Sequence, residues 1–520
     1  MRLGVLAVSS VLLSCFLLGF STTASADQLT VKTAQGKVTG KTINNGQVRA
    51  FLGLPYAAPP IGELRWKAPQ PPAKWSGKRD ATKFGAHCVQ GHVFDDMVFQ
   101  DSGENEDCLF LNVYVPATAD KHSKLPVMFW IHGGGYSGGA SDEPRHNGDF
   151  LPLKGVALVT INYRLGVFGF LATTDLAKEA NGTAGNYGLM DMVAALQWVR
   201  DNIARFGGDP GNVTIFGESA GSIAVSTLMA VPSAQGLFAK VIGESGGALG
   251  TFNQPTLDEA AKGEQKWTDT LATSLAALRA LPAQAVLDAS HKRGAPRFWP
   301  VIDGHFLTEH VADTYAAGKQ AHVPLLAGWN HDEMSFLANN RTVANWKEFA
   351  KTTYGDHADE FLAVYPGSTD EEARRSAIDY GSDSFIAFST WQWIEAQVKT
   401  GDAPVYRYRF DLAATPSKFH PGTFAFHSDD IEYVFGTLDT RPGFNVSADD
   451  RKLSDEVMTY WTNFAKTGDP NGGGLPAWPR YDKTGQIIFL DKDITSAAPT
   501  TTARYEFMLK YKPKRGLFGD

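Results

Sequence analysis

Short, almost wholly apolar runs alternate along the chain with longer stretches in which apolar residues recur every three or four positions. The runs at residues 126–131 and 156–163 lack an alternating polar face, which predicts strands buried on both sides of a sheet, 213–216 reads as a short buried strand, and further strands are predicted at 324–327 and 405–410. Another strand is predicted at 109–114. Near the start, 29–32 and 36–40 predict an antiparallel hairpin, and Asn44-Asn45-Gly46 predicts a turn into 47–52. Prolines at 55, 59 and 60 predict an ordered but irregular segment over 51–65. Leu189, Val193, Leu196, Val199, Ile203 and Phe206 mark one face of a helix over 189–206. The glycines, proline and asparagine of 207–212 stop that helix and turn the chain into the next strand. Helix is also predicted at 223–230, 345–361, 370–399 and 456–466, and as an excursion over 252–289 that covers the sheet edge and lines a substrate entrance. Strands alternating with helices make the sheet mostly parallel. No internal repeat, low-complexity tract or linker interrupts residues 27–520, which predicts one domain.

Composition narrows the function. A chain of 520 residues with 43% hydrophobic content buries a large core. A net charge of -8 and a pI near 5.9 leave no basic patch, so nucleic acid is not an expected partner. Met1-Arg2, an apolar stretch over 3–20 and Ala24-Ser25-Ala26 have the three parts of a secretory signal at 1–26. Cleavage would make Asp27 the first mature residue. No later stretch is long and uncharged enough to span a bilayer, so an exported chain, periplasmic or secreted, is predicted. Cys88 and Cys108 then remain in an oxidising compartment, where one disulfide between them is the economical expectation. In the chain-entropy account, closing that loop contributes roughly 3 kcal/mol. Two isolated cysteines without nearby ligand histidines do not make a metal site, and no cofactor is expected.

Candidate chemistry centres on the strand 213–216, which runs straight into Gly217-Glu218-Ser219-Ala220-Gly221 and then a helix. A serine on such a sharp strand–turn–helix connection is a candidate nucleophile, and glycines two before and two after it let strand and helix approach closely. A serine hydroxyl needs a general base, a carboxylate to orient that base, and donors for the oxyanion. The glycine loop His132-Gly133-Gly134-Gly135, after the strand 126–131, supplies amides that converge with that of Ala220 on one oxygen.

Seven segments in order resemble the type-B carboxylesterase family, which includes the cholinesterases. They are 51–56, 106–113, the loop at His132, 162–164, 185–189, 206–210 and 217–221, with a further match at 461–470. The resemblance covers nearly the whole mature chain. It implies an α/β-hydrolase fold: a large, mostly parallel mixed sheet flanked by helices, with helical insertions over the active-site entrance. It also implies a serine esterase acting on small neutral or aryl carboxylic esters. The family's acid lies in a pattern that reads Gly328-Trp329-Asn330-His331-Asp332-Glu333-Met334 here, so Glu333 is implied as the acid, with Asp332 the competing choice. Met334 replaces the usual glycine, which leaves the local turn open. The spacing to Val434-Phe435-Gly436 implies His427 as the base, with His331 and His420 as surface histidines. Gly134, Gly135 and Ala220 are implied as oxyanion donors. Ser245 and Asp430 correspond to positions that support the acid and the histidine, Glu218 is a buried carboxylate beside the nucleophile, and Arg164 with Asp191 resembles a structural ion pair. The family's first disulfide closes the loop equivalent to 88–108. That loop lacks the tryptophan with which cholinesterases bind choline, and Phe94 and Phe99 are poor substitutes, so quaternary ammonium recognition is not expected. Gly294 and Pro296 stand where acetyl-selective relatives carry aromatics, implying a roomier acyl pocket. Two rival readings are a non-catalytic adhesion or binding protein on the same fold, and acyl transfer to an alcohol in place of water. Nothing in the sequence reports an oligomeric state.

Overall fold

The protein is seen in a computed structural model that describes residues 29–513, apart from 102, 253, 340, 415 and 417–421. The predicted signal at 1–26 and His420 lie outside the described residues. The main sheet is built from β1 (Lys41–Ile43), β2 (Val48–Pro55), β3 (Phe110–Pro116), β4 (Leu125–Ile131), β5 (Ala157–Ile161), β6 (Gly208–Glu218), β7 (Lys240–Glu244), β8 (Leu325–Asn330), β9 (Val405–Phe410), β10 (Ile487–Leu490) and β11 (Thr495–Ala497). Its spatial order is β1-β2-β3-β5-β4-β6-β7-β8-β9-β10-β11. From β5 through β10 every neighbour is parallel; β1, β2, β3 and β11 are attached antiparallel. This mixed sheet flanked by helices is the α/β-hydrolase architecture.

The apolar runs form central strands because both faces are covered. Along β4, Val127, Phe129 and Ile131 enter one hydrophobic cluster, while Met128 and Trp130 enter a second on the opposite face. Val213 and Ile215 of β6 divide from Phe216 in the same way. Strand side chains alternate faces, so an uninterrupted apolar run is what a doubly covered strand requires.

Several expectations change. The 51–65 segment is not irregular throughout: β2 continues to Pro55, paired with β3 on either side of a bulge between Phe51 and Leu54. Pro55 is tolerated at the strand end, and Gly53, at φ 64°, carries the bulge with its N–H given to Asn112 Oδ1. The 345–361 stretch is two helices, Val343–Tyr354 and Ala358–Val364, broken at Gly355 with φ 60°. The 370–399 stretch is helical from Asp370 to Thr400, with a π-helical turn at Asp383–Ala387. The late helix begins earlier, at Ala448, because Ser447 and Asp450 form a capping box. Within 252–289 the helices Leu257–Asp269, Leu275–Ala280 and Ala283–Ser290 form. The first and third pack on the helices Thr174–Glu179 and Gly166–Phe170 rather than along an edge strand. The hairpin at 30–39 forms, but in a small sheet of its own with Lys78–Asp80. Cys88 and Cys108 are joined in a disulfide.

Candidate active site

In parallel α/β sheets, groups that meet a ligand gather at the carboxyl ends of the strands. Here those ends deliver the residues singled out from the sequence to one place. β4 ends into the glycine loop, β6 into Ser219, β7 into Ser245 and β8 into Glu333, while His427 lies on the connection that follows β9.

Ser219 adopts φ 54° and ψ -121° between β6 and the helix Ala220–Leu228. A Cβ on Gly221 would sit 2.0 Å from the Ile131 carbonyl oxygen, and one on Gly217 2.6 Å from that oxygen. The turn therefore exists only because both positions are glycine. The Ser219 N–H donates to the Glu244 carbonyl at 2.9 Å, tying the strained residue to the next strand. Ser245 and Ser428, beside Glu333 and His427, also have positive φ, 53° and 66°. Such conformations cost of order 1–3 kcal/mol each and persist only where the surroundings impose them.

His427 Nε2 stands 3.0 Å from Ser219 Oγ, and its Nδ1 stands 2.6 Å from Glu333 Oε2. Glu333 is buried, and its other oxygen accepts from Ser245 Oγ at 2.6 Å and from the Asn330 N–H at 2.8 Å. Asp332 faces elsewhere, held by Arg375 at 2.6 Å with His331 beside it. Met334 has φ -123°, an ordinary conformation, so the missing glycine leaves the turn undisturbed. Asp430 reaches the site through intermediates: Asn330 Nδ2 and the Tyr408 hydroxyl both donate to it, at 3.1 and 3.0 Å. Asn330 also donates to the Phe426 carbonyl at 2.8 Å, fixing the backbone just before His427.

Gly134, Gly135 and Ala220 line the same cleft, and none of their three amides donates to another group among the described residues. Gly134 and Gly135 have φ 90° and 61°. Gly133 passes so close to the nucleophile turn that a Cβ there would lie 2.7 Å from the Glu218 carbonyl oxygen. His132, at the base of the loop, is buried and stacked on Tyr163; burial pushes its pKa down to about 4, so it stays neutral.

Charge is concentrated around the imidazole. Burial alone would lower the basicity of His427, but the carboxylates of Glu218 and Glu333 outweigh it and raise the pKa to about 9. Glu218 Oε1 is 3.3 Å from His427 Nε2, and burial pushes the Glu218 carboxyl up to about 8. Arg164 and Asp191 form a buried ion pair at 2.7 Å away from this cluster.

Ser219 and His427 open onto a cleft of about 740 Å³, within the size range of small-molecule sites. Phe252, Trp299, Phe385 and Ile386 give it apolar walls, and Phe385 stands edge-on to His427 with centroids 4.9 Å apart. Gly294 does not line this space, and Pro296 lines a smaller pocket beside it. Trp299, close by in the chain, does line the cleft. Sequence reasoning also missed Asn330, although it lies inside the motif that supplies Glu333. Phe385 and Tyr408 had no local signal.

The model of the carboxylesterase family matches residues 27–508. The chain is 35% identical over 528 residues to the fumonisin B1 esterase of Sphingopyxis macrogoltabida, covering 95% of this chain and 93% of that protein. It is 36% identical to the para-nitrobenzyl esterase of Bacillus subtilis (strain 168), covering 89% and 95%. A solved PNB esterase superposes with a TM-score of 0.76 at 34% identity, covering 92% of this chain and 99% of that one. The chain belongs to the carboxylesterase family and is a carboxylic ester hydrolase.

Proposed function

We propose that hydrolysis proceeds through an acyl-enzyme on Ser219, with His427 as general base and then general acid, and Glu333 holding the imidazole. The observation that carries this reading is the hydrogen-bond chain Ser219–His427–Glu333, at 3.0 and 2.6 Å, at the mouth of an apolar cleft. Ser219 Oγ adds to the ester carbonyl while its proton passes to His427 Nε2. The developing oxyanion takes the unused amides of Gly134, Gly135 and Ala220. Collapse expels the alkoxide, which leaves as the alcohol with the proton from His427. Water, deprotonated by the same nitrogen, then releases the carboxylic acid. Ser245 and Asn330 occupy the second oxygen of Glu333, so its other oxygen stays directed at Nδ1. Asp430 acts one step further out, through Asn330. The apolar walls suit small neutral and aryl carboxylic esters. The mature protein is read as one domain beginning at Asp27, exported after loss of residues 1–26; no helix among the described residues is long and apolar enough to cross a membrane.

A fluorophosphonate probe tests the nucleophile directly. The wild-type chain is expected to label stoichiometrically and to lose ester turnover in parallel. Ser219→Ala is expected to fold, to escape labelling, and to lose about 10⁴ to 10⁶-fold in kcat, as for other triads. Turnover surviving in that variant would remove Ser219 from its role. A panel of esters graded in chain length and leaving group measures the substrate range.

A further inference from the structure

The charged side chains that line the cleft are Asp95, Asp96, Arg145, Glu218, Arg297 and Glu333. Five of them are paired. Asp95 meets His92 at 2.7 Å, and Asp96 meets Arg145 at 3.4 Å. Arg145 is held at 2.8 Å by Glu143, and Glu218 and Glu333 both face His427. Arg297 has neither a carboxylate nor a hydrogen-bond acceptor among the described residues. Its guanidinium lies over the Trp299 ring, 3.8 Å from the centroid. Trp299 is itself buried and braced edge-on by Tyr136, the residue after the oxyanion glycines, and face-on by Phe252. Stacking on a fixed aromatic plane orients a guanidinium without consuming its five N–H donors.

The location matters as much as the charge. Arg297 and Gly135 border both the main cleft and an adjoining pocket of about 140 Å³, whose wall also carries Ser137, Ser290 and His291. His427 borders the main cleft alone. A leaving alkoxide must face His427 Nε2 to receive its proton, so the alcohol half of an ester lies on the side of Phe385 and His427. The acyl half then points the other way, past Gly135 toward Arg297.

We propose that Arg297 is a specificity-determining residue that receives a second, free carboxylate on the acyl half, so that hemi-esters of dicarboxylic acids are preferred substrates. This rests on the reading of Ser219 and His427 as the reacting groups, and it adds no chemical step. Water still cleaves one ester bond, and the product acid leaves with one more carboxylate than a simple fatty acid carries.

A matched pair of substrates tests it: benzyl hydrogen glutarate, with a free terminal carboxylate, against benzyl pentanoate, each followed by benzyl alcohol release. Benzyl esters avoid the self-cleavage that an aryl hemi-ester undergoes when its own carboxylate attacks. The quantity read is the ratio of kcat/KM for the two esters. In the wild type it is expected to favour the hemi-ester by about tenfold or more, as one charge-assisted contact supplies. That preference is expected to weaken at high salt. Arg297→Ala is expected to bring the ratio close to one, and Arg297→Lys to recover part of it. Fluorophosphonate labelling of Ser219 reports that each variant is folded. A wild-type ratio of one or less overturns the proposal, as does a ratio that Arg297→Ala leaves unchanged. Failure of the catalytic reading would look different: neither ester would be cleaved and Ser219 would not label.

Discussion

Ser219, Ser245 and Ser428 share a left-handed backbone, and each sits next to a group of the hydrogen-bond chain. The strain is held by contacts that also set the chemistry: the Ser219 amide is anchored on Glu244, and the Ser245 hydroxyl on Glu333. At the same scale, Glu218 is the residue whose removal is most informative. The base works only when His427 is neutral. Its pKa is raised above 6.5, so the active fraction falls as pH drops through the raised value, and the acid limb of kcat/KM belongs above pH 6.5, toward about 9. Burial lowers that pKa; the charge of Glu218, the charge and hydrogen bond of Glu333, and the charge of Asp430 oppose burial, and of these Glu218 lies beside Nε2 without holding the ring at Nδ1. Glu218→Gln is therefore expected to move the acid limb to lower pH and to widen the active range on the acid side. A pH profile whose midpoint is unmoved in the variant would show that Glu218 does not set the basicity of His427.

Gly217 and Gly221 show how an element-scale demand is written in single residues. β6 and the helix after Ser219 meet so closely that the Ile131 carbonyl leaves no room for a side chain at either glycine. Gly221→Ala should prevent correct docking of that helix and give insoluble or unlabelled protein. Gly263→Ala is the contrast. Gly263 lies on the helix Leu257–Asp269 with nothing within 4 Å of its Cβ direction, so alanine there is expected to add about 0.5–1 kcal/mol, read as a rise in the denaturant midpoint. The same scale explains what was legible in the sequence. β4, β5, β6 and β8 stood out as nearly uninterrupted apolar runs, and β9 as a short strand rich in aromatic and β-branched residues. β7 did not, because it opens with Lys240 and closes with Glu244. Those charges are buried against partners far away in sequence, Asn212 for the lysine and the Trp461 indole at 2.8 Å for the glutamate. β10, Ile487–Leu490, was not predicted, although it is an apolar run as long as 213–216. The glycine turns and the positions of Ser219, Glu333 and His427 were legible because local backbone demands leave short motifs. Asp430 was implied by the resemblance, but the Asn330 and Tyr408 hydrogen bonds that connect it to the site run between separate elements, and no spacing in the chain encodes them.

For the whole molecule, the disulfide joins compartment, stability and site. Cys88 and Cys108 are 20 residues apart, and the loop they close carries Phe94, Asp95, Asp96 and Met97 to one wall of the cleft. Other contacts pin the loop as well: Asp142 accepts from the amides of Gln100 and Asp101, at 2.6 and 2.8 Å, and His87 pairs with Asp101 at 2.9 Å. The reacting groups lie instead on the ends of sheet strands and on the connection after β9. Loss of the crosslink should therefore release unfolded-state entropy without disturbing Ser219, His427 or Glu333. The double variant Cys88→Ser, Cys108→Ser is expected to lose roughly 3 kcal/mol of stability. Its kcat should stay near the wild-type value, while KM rises as the wall at 94–97 loosens. Reductant should shift the denaturant midpoint of the wild type to that of the variant and leave the variant unmoved. A fall in kcat equal to the rise in KM would mean that the loop holds the reacting groups themselves, and that the sheet ends alone do not set their geometry.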